Sequence, residues 1–187
     1  MQSKKDRFFN LLLPLYPNLE RFTLNMTRNR DWAKDVTSET VLKAYDSFDS
    51  LRGEQAFLSF LFTIASRVYY AQINRAGKRI YEEQDLDELY SIAPGPDELA
   101  DAKALHEALD KLPEKMKEAI VLFELEGFSY KEIAEIQTTT VDNIKVRLHR
   151  GKAKLEELLQ DGEMARTKSA PKKAKSINKN NSIAHVL

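Results

Sequence analysis

Cysteine is absent from this 187-residue chain, which excludes disulfides and thiolate metal sites and fits a reducing cytosol. Histidine is nearly as scarce. His106, His149 and His185 lie far apart, so no metal centre is expected. No glycine-rich phosphate loop, paired catalytic carboxylates or nucleophile–base motif is present, which argues against an enzyme and against a bound cofactor. Long apolar runs are also lacking. The longest, from Ala56 to Ala65, is too short to span a bilayer. With no visible signal peptide, the expectation is a cytoplasmic chain without membrane insertion.

Net charge is missing too, with 29 basic residues against 29 acidic ones. The balance hides segregation. Residues 1–81 carry 13 bases and 8 acids, residues 82–101 carry eight acids and no base, and residues after Gln160 carry six bases and two acids. Basic lobes on a neutral chain can still bind nucleic acid locally.

Helical signals dominate what is present. Ser129-Tyr130-Lys131-Glu132 has the S-x-x-E form of a capping box and should start a helix. Ile133, Ala134 and Ile136 give that helix an apolar face. Polar Gln137–Thr140 breaks the pattern, and Thr140 can cap a second helix, along which Val141, Ile144, Leu148 and Leu155 form one stripe. Between Thr140 and Lys154 sit five bases (Lys145, Arg147, Arg150, Lys152, Lys154) against one acid, Asp142. A short helix, a tight turn and a basic second helix suit a DNA major groove. Lys145, Val146, His149 and Arg150 fall opposite the apolar stripe. Long donors beside one apolar group suit base edges and thymine methyls, although a basic helix face can also be plain solvated surface.

The N-terminal part reads as helical throughout. Pro14 and Pro17 separate a segment starting at Phe8 from one covering Leu19–Met26. Asp31 is a candidate cap for a helix reaching Phe48, with Trp32, Val36, Leu42, Tyr45 and Phe48 inward and Asp35, Glu39 and Lys43 outward. Glu39 and Lys43 can pair at i,i+4. A turn at Arg52–Gln55 precedes a long helix with Phe57, Phe60, Leu61, Ile64 and Val68 on its core face. Its other side shows Phe62, Ser66, Arg67, Tyr70 and Asn74, continued by the bases Arg75, Lys78 and Arg79. Those aromatics either pack on another helix of the same lobe or offer stacking platforms to unpaired bases.

Periodicity fails over residues 76–102, where Glu82, Glu83, Asp85, Asp87 and Glu88 precede Pro94-Gly95-Pro96; this reads as an extended linker. Helix returns near Leu99. The composition from Asp161 onward predicts disorder. The expected fold is therefore all-α: two small helical domains, residues 1–79 and 103–160, joined by a flexible acidic linker (80–102) and followed by a basic tail (161–187).

Two blocks in order resemble a bacterial RNA polymerase sigma factor of the extracytoplasmic-function (ECF) type. One is Asp35–Tyr45 followed by Arg52–Phe57 and Phe60–Ala65. The other is Leu112-Pro113-Glu114, Glu126–Ile136 and Val146–Lys152. The resemblance covers about residues 8–158. It implies a protein without catalytic residues that directs core RNA polymerase to promoter DNA, and it leaves room for an anti-sigma partner. It implies −35 reading by Lys145, Val146, His149, Arg150, Lys152 and Lys154, with Ser129, Tyr130 and Lys131 at the first helix's N-terminus. It implies −10 binding by Arg52, Gln55, Phe57, Arg67, Tyr70 and Asn74, and polymerase docking by Asp35, Ser38 and Glu39. The acidic linker would enter the path later used by RNA. Gln137-Thr138 departs from the Leu-Gly usual in the turn, and threonine is poorly suited to positive φ. The competing reading is a free-standing helix-turn-helix regulator, which would need a dimerisation or effector domain where the N-terminal lobe stands.

Overall fold

The structure, a computed structural model, describes residues 3–76 and 96–169. The acidic run and the tail beyond Ser169 lie outside those residues. Eight α-helices and no strand occur among the described residues. They are α1 (Lys4–Leu12), α2 (Tyr16–Thr27), α3 (Arg30–Asp46), α4 (Phe57–Ala76), α5 (Pro96–Asp110), α6 (Glu114–Ile120), α7 (Tyr130–Ile136) and α8 (Val141–Ser169).

Local chemistry explains most of the boundaries. Ser3 and Asp6 form a capping box on α1, and Pro17 sits in the first turn of α2, where a missing N–H costs little. The cap of α3 is Asn29, whose side chain accepts from the Trp32 amide at 2.9 Å. Asp31 therefore lies inside the first turn and not at the cap expected of it. Two short 3₁₀ turns, Phe48–Ser50 and Glu54–Ala56, lead into α4. α5 starts at Pro96, earlier than its apolar pattern suggests, because proline can open a helix as readily as break one. α8 runs on to Ser169, so residues 161–169 are helical where disorder was expected.

The first lobe is α1–α4. A T-shaped aromatic cluster packs Phe8 against Tyr45, Phe48 and Phe57 at 5.2–5.7 Å. Leu42 departs from the expected inward set: it is 61% exposed, while Val36, Thr40 and Ala44 face the core. The second lobe is α5–α8. Gly151 lets α8 lie close on α6, where an added Cβ would stand 2.9 Å from Ile120 Cδ1. Buried residues of both lobes belong to one continuous core, so the two helical lobes pack directly on each other.

Shared burial also settles the character of α4. The stretch Glu54–Arg75, which takes in the turn before α4 and most of that helix, has a mean hydropathy of 1.2 and is long and apolar enough by composition to cross a membrane, which the unbroken run Ala56–Ala65 understates. Phe57, Leu61 and Val68 on one side and Phe62, Ala65 and Tyr69 on another are all buried against protein. A helix apolar on several faces is a central core helix when neighbours cover it.

Candidate nucleic-acid interface

The helix-turn-helix forms from the residues that encode it. Ser129 Oγ accepts from the Glu132 amide while the Glu132 carboxylate accepts from the Ser129 amide, closing the capping box that starts α7. Gly127, at φ +74, ends the preceding segment. That segment is α6 prolonged by a π-turn over Val121–Leu125, closed by Glu126 N donating to Val121 O at 3.1 Å. After α7 the chain turns through Thr138 at φ +51, a left-handed position held by a β-branched residue. Thr140 then caps α8, its Oγ1 accepting from the Asn143 amide at 3.2 Å.

On α8, Ile144, Leu148 and Leu155 are buried and Val141 is half-buried. This leaves Lys145, Val146, His149 and Arg150 exposed on one outward face, with Val146 45% exposed. Lys145 makes a surface ion pair with Asp142 at 3.3 Å, a contact weak enough to exchange for a ligand. Lys154 is exposed. Lys152, also in the −35 set, is partnered within the protein: its ammonium pairs with Glu124 and lies 5.2 Å from the Phe123 ring centroid. Phe123 in turn stacks on Tyr130 at 4.9 Å. Tyr130 is thus held flat at the start of α7, beside exposed Ser129 and Lys131.

Arg147 was read only as one of the basic residues, yet it holds the turn. Its guanidinium donates to Gln137 Oε1 at 2.5 Å, while Gln137 Nε2 donates to Lys115 O and to Glu118 Oε2. A polar residue at a turn, ten positions before an arginine on the next helix, was a weak signal for this.

The −10 set divides. Arg52, Gln55, Arg67 and Asn74 are exposed. Phe57 is 1% exposed, inside the aromatic cluster, and cannot reach a base without leaving the core. Phe62 is fully buried, edge-on to Phe128 of the second lobe at 4.7 Å. Tyr70 is half-buried, and its hydroxyl donates to Glu118 at 3.0 Å. The outer face of α4 therefore packs on a helix, as the plainer of the two readings had it, but on the other lobe. Desolvation, then the adjoining carboxylates, pushes both the Tyr69 and Tyr70 phenols well above their ordinary range.

Among the docking residues, Asp35 and Ser38 are exposed. Glu39 is half-buried and partnered: it accepts from Lys43 at 2.6 Å, the i,i+4 pair read in the sequence, and from Gln72 at 2.7 Å. Those two bonds hold its carboxyl below the usual range. Ser38 lines an open groove of about 530 Å³ with Phe9, Tyr16, Val41, Leu42 and Tyr45. Among the described residues no cluster of His, Asp or Glu is arranged to hold a metal.

Comparison with known proteins follows this layout. Residues 11–79 match the family described as Sigma-70 region 2, and residues 102–155 match Sigma-70, region 4. An ECF RNA polymerase sigma factor, EcfG of Rhodopseudomonas palustris, is 33% identical over 152 residues, covering 79% of this chain and 82% of the relative. An ECF sigma-E factor of Haemophilus influenzae is 31% identical over 173 residues, covering 86% and 92%. The sigma factor RpoE of Bartonella quintana, solved in complex with the anti-sigma factor NepR, has a TM-score of 0.68 at 29% identity, covering 82% of this chain and 97% of that one. CnrH, solved with the cytosolic domain of CnrY, shares the fold with a TM-score of 0.65 at 23% identity, covering 84% and 90%. On the strength of both matched regions and these relatives, the chain belongs to the ECF RNA polymerase sigma factors.

Proposed function

We propose that this protein binds core RNA polymerase in the cytoplasm and directs it to a defined set of promoters, with no catalysis of its own. The observation that carries the reading is the exposed face Lys145, Val146, His149 and Arg150 on a helix fixed by a capped helix-turn-helix. Bidentate donors and an apolar contact on one face can distinguish base pairs in the major groove of a −35 element. Lys154, with Ser129 and Lys131 at the start of α7, would meet phosphates and set the register. In the first lobe, Arg52, Gln55, Arg67 and Asn74 remain the accessible candidates for the opened −10 strand. Tyr70 joins them once the second lobe moves away.

Polymerase docking is assigned to Asp35 and Ser38 on α3. Glu39 supports that surface through Lys43 and Gln72 more than it offers a free charge. Because a structural neighbour was solved with an anti-sigma factor, an anti-sigma partner is part of the proposal. A free-standing regulator is not favoured, since the first lobe matches Sigma-70 region 2.

The test is reconstitution: purified chain added to core polymerase with a randomised promoter library, and sequencing of transcript start sites. Start sites sharing two spaced elements support the reading. Transcripts no different from those of core polymerase alone overturn it.

A further inference from the structure

Of the five bases early in α8, Lys145, Arg150 and Lys154 are exposed, whereas Arg147 and Lys152 are half-buried. Those two stand on opposite edges of the apolar stripe. At 100° per residue, Arg147 lies about 60° to one side of Ile144 and Lys152 about 80° to the other. Both are fastened to α6 or its prolongation.

Arg147 donates to Gln137 Oε1 at 2.5 Å, and that amide cannot turn round. Its Nε2 faces Lys115 O at 3.1 Å and the Glu118 carboxylate at 2.8 Å. Both are acceptors only, so Oε1 is left facing the guanidinium. Gln137 is buried, and without Arg147 its oxygen would lose its donor. On the far edge, Lys152 pairs with Glu124 over the Phe123 ring, both of them in the π-turn Val121–Leu125. Between the two fastenings Gly151 lets α8 sit close on Ile120.

An apolar stripe resists separation of two helices better than it resists rolling, because dispersion contacts have no preferred direction. Polar fastenings on both edges do fix the roll. A roll of about 20° swings a group about 6 Å from the helix axis by about 2 Å, enough to break a hydrogen bond to a base edge. We propose that Arg147 and Lys152 are positioning residues, not phosphate contacts: with Gln137 they set the roll of α8, and so decide which −35 bases Lys145, Val146, His149 and Arg150 can reach. Its functional half rests on the −35 reading proposed above. The bases of α8 then divide into readers, fasteners and, at Lys154, a phosphate contact.

The test uses the full chain bound to core polymerase, with affinity measured on a panel of single-base −35 variants across a salt series. Each phosphate contact adds about 0.9 to the slope of log affinity against log salt. Arg147→Met, Gln137→Leu and Lys152→Met should each reorder the tolerated bases and leave the native slope. Combining Arg147→Met with Gln137→Leu should do no more than either alone, since both break one bond. Arg147→Lys, which keeps a donor on a long stem, should restore the native order. Lys154→Ala should lose about one unit of slope and keep that order. Thermal unfolding of each variant checks the fold, and Gln137→Leu, a change of little volume, stands in should Arg147→Met fail to fold.

A slope reduced by about one in Arg147→Met or Lys152→Met makes that residue a phosphate contact and overturns the assignment. A uniform loss of affinity with unchanged base order makes the bonds merely structural and overturns it too. A native holoenzyme without −35 preference instead fails the sigma-factor reading, and the roll with it.

Discussion

Thr138→Gly should make the protein more stable, and the structure gives the size of the effect. Thr138 is exposed and holds φ +51 in the turn between α7 and α8. For a residue with a Cβ, the left-handed region costs about 1–2 kcal/mol, and a β-branched side chain belongs at the upper end. Glycine removes that strain but gains freedom in the unfolded chain, which returns about 0.4–1 kcal/mol. The net is a stabilisation of about 1 kcal/mol, or roughly 2–4 °C in Tm for a chain of this size. The assay is thermal unfolding followed by circular dichroism at 222 nm, about the wavelength where helix loss reads directly. The Thr140 cap and the Arg147–Gln137 bond do not involve the Thr138 side chain, so base preference at the −35 element should stay as it is. An unchanged or lowered Tm would refute the argument, because it would mean the turn relaxes out of the left-handed region or threonine's side chain repays its strain.

Further outcomes follow from the same geometry. Lys145→Ala should change which −35 bases are tolerated, at about 1–3 kcal/mol per lost base contact, whereas Lys154→Ala should weaken all promoters alike and flatten the salt dependence; a promoter-mutant panel at two salt concentrations separates them, and identical profiles would refute the assigned face. Asp35→Lys should abolish co-purification with core polymerase and leave the circular dichroism spectrum intact, since the carboxylate is exposed. His106, on α5, has its pKa lowered to about 4 by burial first and then by Arg28 and Lys117, with Asp110 opposing. The folded chain thus favours neutral imidazole. That stability is complete above the ordinary value near 6.5 and is lost as pH falls toward 4, by at most about 3 kcal/mol. Urea midpoints at pH values on either side of this window should differ, and His106→Gln should remove most of the difference.

Local signals carried furthest where the chemistry was itself local. The capping box at Ser129, the Thr140 cap and the α8 stripe depend on residues within one or two turns of each other, and all three stand in the structure. Legibility fell where a boundary had two competing local solutions. Asn29 and Asp31 are both good caps, and Asn29 holds the position because its extended backbone (φ −144, ψ 125) aims Oδ1 at the Trp32 amide. Pro96 reads equally as a breaker and as a first helical residue. The stretch beyond Asp161 lacks apolar residues for a core, yet a helix already formed from Val141 needs no new nucleus to propagate through Gly162–Ser169.

The site was harder to read than the fold, and α4 shows the reason. Its apolar residues do not fall on one stripe: Phe57, Leu61 and Val68 mark one face, Phe62, Ala65 and Tyr69 another, and both are buried. Such a distribution already argues that the helix is covered on more than one side. Periodicity cannot say by what, because the covering partners, at Glu118 and Phe128, lie 48 positions away or more. Charge offered the missing clue. A chain with basic excess in its first lobe and buried carboxylates at Glu118 and Glu126 has one economical way to satisfy both, which is to bring the two surfaces together. Buried carboxylates are costly unless paired, so the second lobe cannot leave these two in contact with apolar protein. They must meet donors: Glu126 takes those of Asn18 and Arg21 in the first lobe, and Glu118 takes Ser66 and Tyr70 of the first lobe beside Lys115 and Gln137 of its own.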